Sequence, residues 1–133
     1  MNANQMINEQ VSLYDFDTTV EKLLTAAAQK EWNNPATHDL QQSLAKAGKS
    51  VKPVKVIEVC KPKYSGLMLE KSDERIVSVM MPCRISVYLK DDGKTYVSQI
   101  DGHLLSAGMA QNIAEVMGAA ADEVDEIVAT VVK

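Results

Sequence analysis

A chain of 133 residues with 14 Lys and Arg against 18 Asp and Glu, a net charge of -4, lacks the cationic excess that phosphate neutralisation demands, so no nucleic-acid surface is expected. Hydrophobic residues at 46% and charged residues at 24% are the usage of a folded domain rather than a disordered one, and aromatics at 5% leave the core to Val, Ile, Leu, Ala and Met. No basic leader opens the chain, no apolar run nears the ~20 residues of a membrane span, and two cysteines are no disulfide scaffold, so a cytoplasmic protein with reduced thiols and no membrane partner is expected.

In chain order, Met1 to Gln5 is polar and expected to fray at the start of a single domain spanning 1–133. Ile7, Val11 and Leu13 suggest a first strand. Thr18 and Glu21 have the spacing of a capping box, and Val20, Leu23, Leu24, Ala27 and Ala28 recur at helical intervals, which predicts a helix from Thr19 to Glu31. Asn33-Asn34-Pro35 ends it. A second helix is predicted from Thr37 or His38 to Lys46, with Gly48 as its left-handed stop. Val54 to Cys60 is apolar on both parities, as an interior strand is. Lys61-Pro62 breaks that strand before a short helix carrying Leu67, Met68 and Leu69.

The strongest local signal runs from Ile76 to Ile100 and reads as a β-hairpin. Cys83, Ile85, Val87 and Leu89 share one parity, and Arg84, Ser86, Tyr88 and Lys90 the other. Asp92-Gly93 predicts a two-residue turn, which pairs Leu89 with Tyr96, Val87 with Ser98 and Ile85 with Ile100 on the inner face, and leaves Val97 outside. Pro82 donates no ladder hydrogen bond, so Ile76 to Leu89 is expected to be one strand bent there, or an edge strand.

Helix returns after the hairpin. Leu105, Met109, Ile113 and Val116 or Met117 form one stripe, and Val124, Ile127, Val128 and Val131 a second. Asp122, Glu123, Asp125 and Glu126 are expected at the start of the last helix, where the positive end of the dipole favours carboxylates. Helices flanking a run of strands predict an α+β fold, a two-layer sandwich with a mainly antiparallel sheet and helices packed on one face.

Cys60-Lys61-Pro62-Lys63, Gly66-Leu67-Met68-Leu69, the run Met81-Pro82-Cys83-Arg84-Ile85-Ser86-Val87-Tyr88 and the run Asp92-Gly93-Lys94-Thr95-Tyr96-Val97-Ser98 together resemble the uncharacterised family known as domain of unknown function three hundred and two. The likeness extends from about Thr18 to the end, and its most specific part is Pro82 to Ser98. It implies a compact α+β sandwich that self-associates, and no activity.

Chemistry rests on few residues. Cys60 and Cys83 could cycle as a thiol pair, or hold a soft metal with His103, Met80, Met81 or Met109, because thiolates and thioethers select such ions. Buried Cys and gap-filling Met explain the same residues without any ligand. His38 reads as a solvated helix residue, and Lys46, Lys49, Lys52, Lys55, Lys61 and Lys63 as a solvated run or an anion patch. No catalytic residue is identified and the cofactor is unknown: there is no nucleophile elbow or phosphate-cradling loop, and an enzyme would rest on His103, Tyr64 and Arg84. The reading favoured is a non-enzymatic, self-associating (dimeric) module that binds a small ligand or protein partner; the alternative is a thiol-redox or soft-metal protein using Cys60 and Cys83.

Overall fold

In the computed structural model, which describes residues 3–132, five strands form one antiparallel sheet with helices packed on one face. A helical turn, α1 (Ala3–Met6), leads into edge strand β1 (Ile7–Val11); Met1 and Asn2, expected to fray, lie outside the described residues. Helix α2 (Phe16–Gln29), strand β2 (Thr37–Asp39), helix α3 (Leu40–Lys46) and strand β3 (Val54–Val59) follow. Next come α4 (Pro62–Leu69), a 3-10 helix (Ser72–Met80), strands β4 (Cys83–Leu89) and β5 (Thr95–Ile100), then α5 (Gly102–Ser106) and α6 (Gln111–Ala129). The strand order is β1-β5-β4-β3-β2, so β3 is interior, as its two-sided apolar sequence predicts.

Several boundaries move from their predicted places for local reasons. Helix α2 begins at Phe16 because the Asp15 carboxylate, not Thr18, caps it, accepting the Thr18 N–H at 2.8 Å. His38 is not helical: it lies in β2 with Nε2 2.9 Å from Glu58, and Asp39 caps α3 by accepting from Gln42 N–H. Ile76 to Met81 is not the first half of a strand. Glu74, Val77 and Met80 recur every third residue, the eclipsed spacing of a 3-10 helix, and turn inward, while Ile76 and Val79 stand 79% and 83% exposed.

The hairpin is present, but its turn has three residues rather than two. Gly93 takes φ +80 and donates to the Lys90 carbonyl at 3.0 Å, and Lys90 N–H meets the Lys94 carbonyl, which is a turn closed by a glycine bulge. One extra loop residue shifts the returning strand by one. Leu89 pairs with Thr95, Val87 with Val97 and Ile85 with Gln99, so Val97 and Gln99 face the core and Tyr96 and Ser98 the open face. Ile85 and Val87 do point inward and are fully buried.

Helix α6 runs unbroken through the acidic cluster, so Asp122, Glu123, Asp125 and Glu126 sit in its interior and not at a helix start. Each has its own partner: His103 at 2.8 Å for Asp122, Gln99 for Asp125, Lys30 for Glu126, and a set of three donors for Glu123.

The main core lies between the sheet and α2 with α6. Val20, Leu23 and Ala27 from α2 meet Ile57, Val59, Ile85, Val87 and Val97 from the strands and Val124, Ile127 and Val128 from α6. The opposite sheet face is covered by no helix in this cluster and is laced by polar contacts. Tyr88 and Tyr96 stack with centroids 6.1 Å apart, Lys90 bonds Glu9 at 2.9 Å and lies over the Tyr96 ring, and Tyr88 donates to Glu9. Burial, with Glu9 next, pushes the Tyr88 phenol up to about 12.

Candidate functional site

A second apolar region is built from different side chains. Helix α4, the 3-10 helix and the first turns of α6 enclose a second apolar cluster of Met68, Val77 and Ile113, against which Met80, Met81, Met109, Val116 and Met117 pack. Between this annex and the main core lies a cavity of about 260 Å³. Its walls are Met68, Met80, Met81 and Met117 with Cys83, Leu105, Ala120 and Val124; Val79, Arg84 and Asp125 also line it. Broader hollows, such as one between β1 and α6 lined by Asn8, Glu9 and Gln10, are more open and more polar. The methionine cavity has the apolar walls and few polar groups that small-molecule sites share.

Gln99 is the polar group that stands out. The bulge turns it onto the core face, where it is 6% exposed. Its Nε2 lies 3.4 Å from Asp125 Oδ1, a long bond, and its Oε1 is buried with no partner. A buried carbonyl left unpaired costs ~1 to 3 kcal/mol. Glu74 Oε1 is the other such atom among the described residues, but its Oε2 accepts from Asn112 at 2.5 Å.

The cavity's shape depends on a close helix contact. A Cβ on Gly102 would fall 2.7 Å from the Cβ of Ala121, so α5 reaches α6 only because glycine stands there. Cys83 occupies the first position of β4, opposite Val59. Its side chain reaches solvent at the rim of the cavity, and the packing around its sulfur pushes the thiol pKa up.

Of the residues the sequence offers as soft-metal ligands, Cys83, Met80 and Met81 line this cavity, and Cys60, His103 and Met109 do not. Cys60 pairs with Asn33 in a bridge beyond β3, and its sulfur sits 3.7 Å from Ser65 Oγ; both cysteines are free thiols and form no pair. His103 is exposed and bonded to Asp122. Among the described residues no group of three or more His, Cys, Asp or Glu is placed to hold a metal ion. The lysines disperse: Lys52 lies 3.9 Å from Asp91, Lys55 and Lys63 lie over the rings of Phe16 and Tyr64, and Lys61 pairs with Glu123.

Glu123 forms the other polar centre. Trp32 Nε1–H donates to its Oε1 at 3.0 Å, Lys61 donates to the same oxygen at 2.8 Å, and the Tyr64 hydroxyl donates to Oε2. Burial alone would raise this carboxyl, but the three donors outweigh it and hold the pKa at about 2. Every acceptor there is occupied, so the cluster ties α6 to α4 and to the segment after α2.

A family model described as Domain of unknown function DUF302 matches residues 7–132. The chain belongs to the DUF302 family. Among solved structures, the crystal structure of an uncharacterised conserved DUF302 protein from Bacillus stearothermophilus aligns with a TM-score of 0.83 at 17% identity, over 93% of this chain and 96% of that one. At that identity the match is one of fold, and it agrees with the two-layer α+β arrangement of this DUF302 domain. No curated protein matches the chain. Among the described residues no helix is long and apolar enough to cross a membrane.

Sequence reasoning named Met80, Met81 and Cys83 but missed Met68 and Met117 as wall residues and Gln99 altogether. The signal for Gln99 was Asp91-Asp92-Gly93 read as a three-residue loop, which puts the β-branched Thr95 and Val97 inward and Gln99 with them.

Proposed function

We propose that this DUF302 domain is a non-enzymatic module that binds a small apolar ligand in the methionine-lined cavity. The observation that carries the reading is the cavity itself, a partly enclosed space of about 260 Å³ whose walls are mostly apolar and flexible. Methionine suits such a role because its unbranched, polarizable side chain adapts to an occupant. The Glu123 carboxylate is already engaged by Trp32, Lys61 and Tyr64, which favours a structural role for that cluster. Two free thiols fit a reducing compartment such as the cytoplasm.

The test uses the methionine methyl groups. Toluene added to the full chain is expected to shift the methyl resonances of Met68, Met80, Met81 and Met117 and leave those of Leu40 and Leu44 on α3 unmoved. Attaching a benzyl group to Cys83 through a mixed disulfide, in a Cys60→Ser background, should abolish those shifts by filling the space. An unchanged spectrum in the unmodified protein removes this reading.

Self-association belongs to the same proposal, with a second copy as the partner. Its support is the uncovered sheet face, where Ile7, Val11 and Ile100 are exposed beside Glu9 and Lys90, charges of both signs that a two-fold pairing can match. Sizing at micromolar concentration should give a dimer; a strict monomer ends that part. A second reading, a soft-metal site, is favoured by five sulfurs lining one cavity. Titration with copper(I) under anaerobic conditions decides it, since a bound ion must shift the same methyl groups at one equivalent.

A further inference from the structure

The chemistry of the walls narrows what the cavity accepts. We infer that its ligand is a neutral molecule of one or two rings that carries a single N–H or O–H donor, and that this donor completes Gln99. The inference rests on the cavity being a ligand site at all.

Three observations lead there. The first is size. An apolar cavity of about 150 Å³ holds benzene, so one of about 260 Å³ has room for a ring or a fused pair and not for a nucleotide or an oligosaccharide. The second is the sulfur lining. Thioethers make favourable contacts with the edges of aromatic rings, and Met68, Met80, Met81 and Met117 approach the space from α4, the 3-10 segment and α6. The third is Gln99. Gln99 lines the cavity and also the hollow between β1 and α6; it is 6% exposed, and its Oε1 is buried with no partner. The terminal torsion of a glutamine is broad, so a modest turn of the amide presents Oε1 to a donor in the cavity.

Charge at the walls selects for neutrality. The walls are mostly apolar, so a charged group would lose hydration with no buried partner to replace it, and an anion beside Gln99 would also meet the Asp125 carboxylate. A neutral donor avoids both.

The experiment compares indole with indene, which replaces the indole N–H by a methylene at nearly constant shape. Dissociation constants are measured on the full chain by titration of the methionine methyl resonances, with the side-chain amide of Gln99 followed in the same samples. The parent is expected to prefer indole by at least tenfold, and indole alone should move the Gln99 amide protons. In Gln99→Met the preference should vanish while indene still binds. Equal binding of the two probes, or an indole preference that survives in Gln99→Met, overturns the assignment of the donor and leaves the cavity reading standing. Failure of both probes to bind overturns the cavity reading with it. If Gln99→Met does not fold, the Gln99 amide shift in the parent decides: movement with both probes, or with neither, overturns the inference.

Discussion

The two apolar regions of this domain are made of different materials and hold their contents differently. In the sheet core, Ile57, Ile85, Val87, Val97 and Ile127 are fully buried, and all are β-branched, with few rotamers and interlocked faces. In the annex, methionines from α4, the 3-10 helix and α6 close loosely on a cavity, while Ile76 and Val79 of the same segment face solvent. Stiff side chains specify one arrangement; flexible ones tolerate several. The difference places rigidity in the sheet and adaptability beside it, where an occupant can be admitted without unfolding the whole.

The sharpest way to break this comparison is to delete equal bulk from each region. Ile85→Ala should cost ~2 to 5 kcal/mol in urea unfolding, because the surrounding β-branched residues cannot collapse into the gap. Met68→Ala is expected to cost less than half as much, since it enlarges a cavity that exists already and its methionine neighbours can relax. Equal losses at the two sites would show that the annex is as tightly determined as the core.

The next effect concerns the polar tie between the regions. Glu123 joins Lys61 and Tyr64 of the annex side to Trp32 of the core side. Glu123→Gln should lose ~1.5 to 3 kcal/mol at neutral pH, the range for a hydrogen bond to a charged group. Its folded pKa of about 2 lies below the ordinary 4.5, so the carboxylate's contribution is whole above about pH 4.5 and fades as pH falls towards 2. Glu9, Asp15 and Asp92 are also held low and weaken the fold over the acid range in the same direction. The measurement is therefore the difference between parent and variant, which should shrink from pH 5 to pH 2; a constant difference over that range defeats the account.

How much of this was legible in the chain follows from which interactions are local. The α+β class, the interior strand from Val54, the inward set Ile85 and Val87 and the helix of Val20 and Leu23 were readable, because periodicity alone decides which side is buried. The glycine bulge is not legible from Asp92-Gly93 alone, and one residue of loop length inverts the faces of β5 and hides Gln99. From sequence the acidic cluster reads as a helix start, because its partners, His103, Lys30, Lys61 and Tyr64, come from other elements of the chain. The cavity is legible only from packing: no spacing in the chain announces that Met68 and Met117 meet beside Cys83.

Smaller effects test the surface of the annex. Val79→Ser and Ile76→Ser each replace an exposed side chain and should leave stability within ~0.5 kcal/mol of the parent. Only Val79 lines the cavity, so toluene binding should weaken several-fold in that variant and be unchanged in Ile76→Ser. Equal effects would mean that the apolar surface in general, and not the cavity, takes up the probe.

The smallest expected change sharpens the border of the core. Glu31 takes φ +65, a left-handed conformation that favours glycine, and it ends α2 in a double-bonded stop: its N–H reaches Ala28 O at 3.0 Å and Trp32 N–H reaches Ala27 O at 2.9 Å. That turn drops Trp32, 4% exposed, into the main core with its indole N–H on Glu123. A side chain in this conformation costs ~1 to 2 kcal/mol, and glycine returns ~0.5 to 1 of that through the freedom of its unfolded state. Glu31→Gly should therefore raise stability by ~0.5 to 1 kcal/mol in urea unfolding, with toluene affinity unchanged, because the gain falls wholly on the rigid side. A loss of stability would mean that the Glu31 side chain contributes more than its backbone strain removes, and a changed affinity would mean that the border between core and annex transmits what happens at the end of α2.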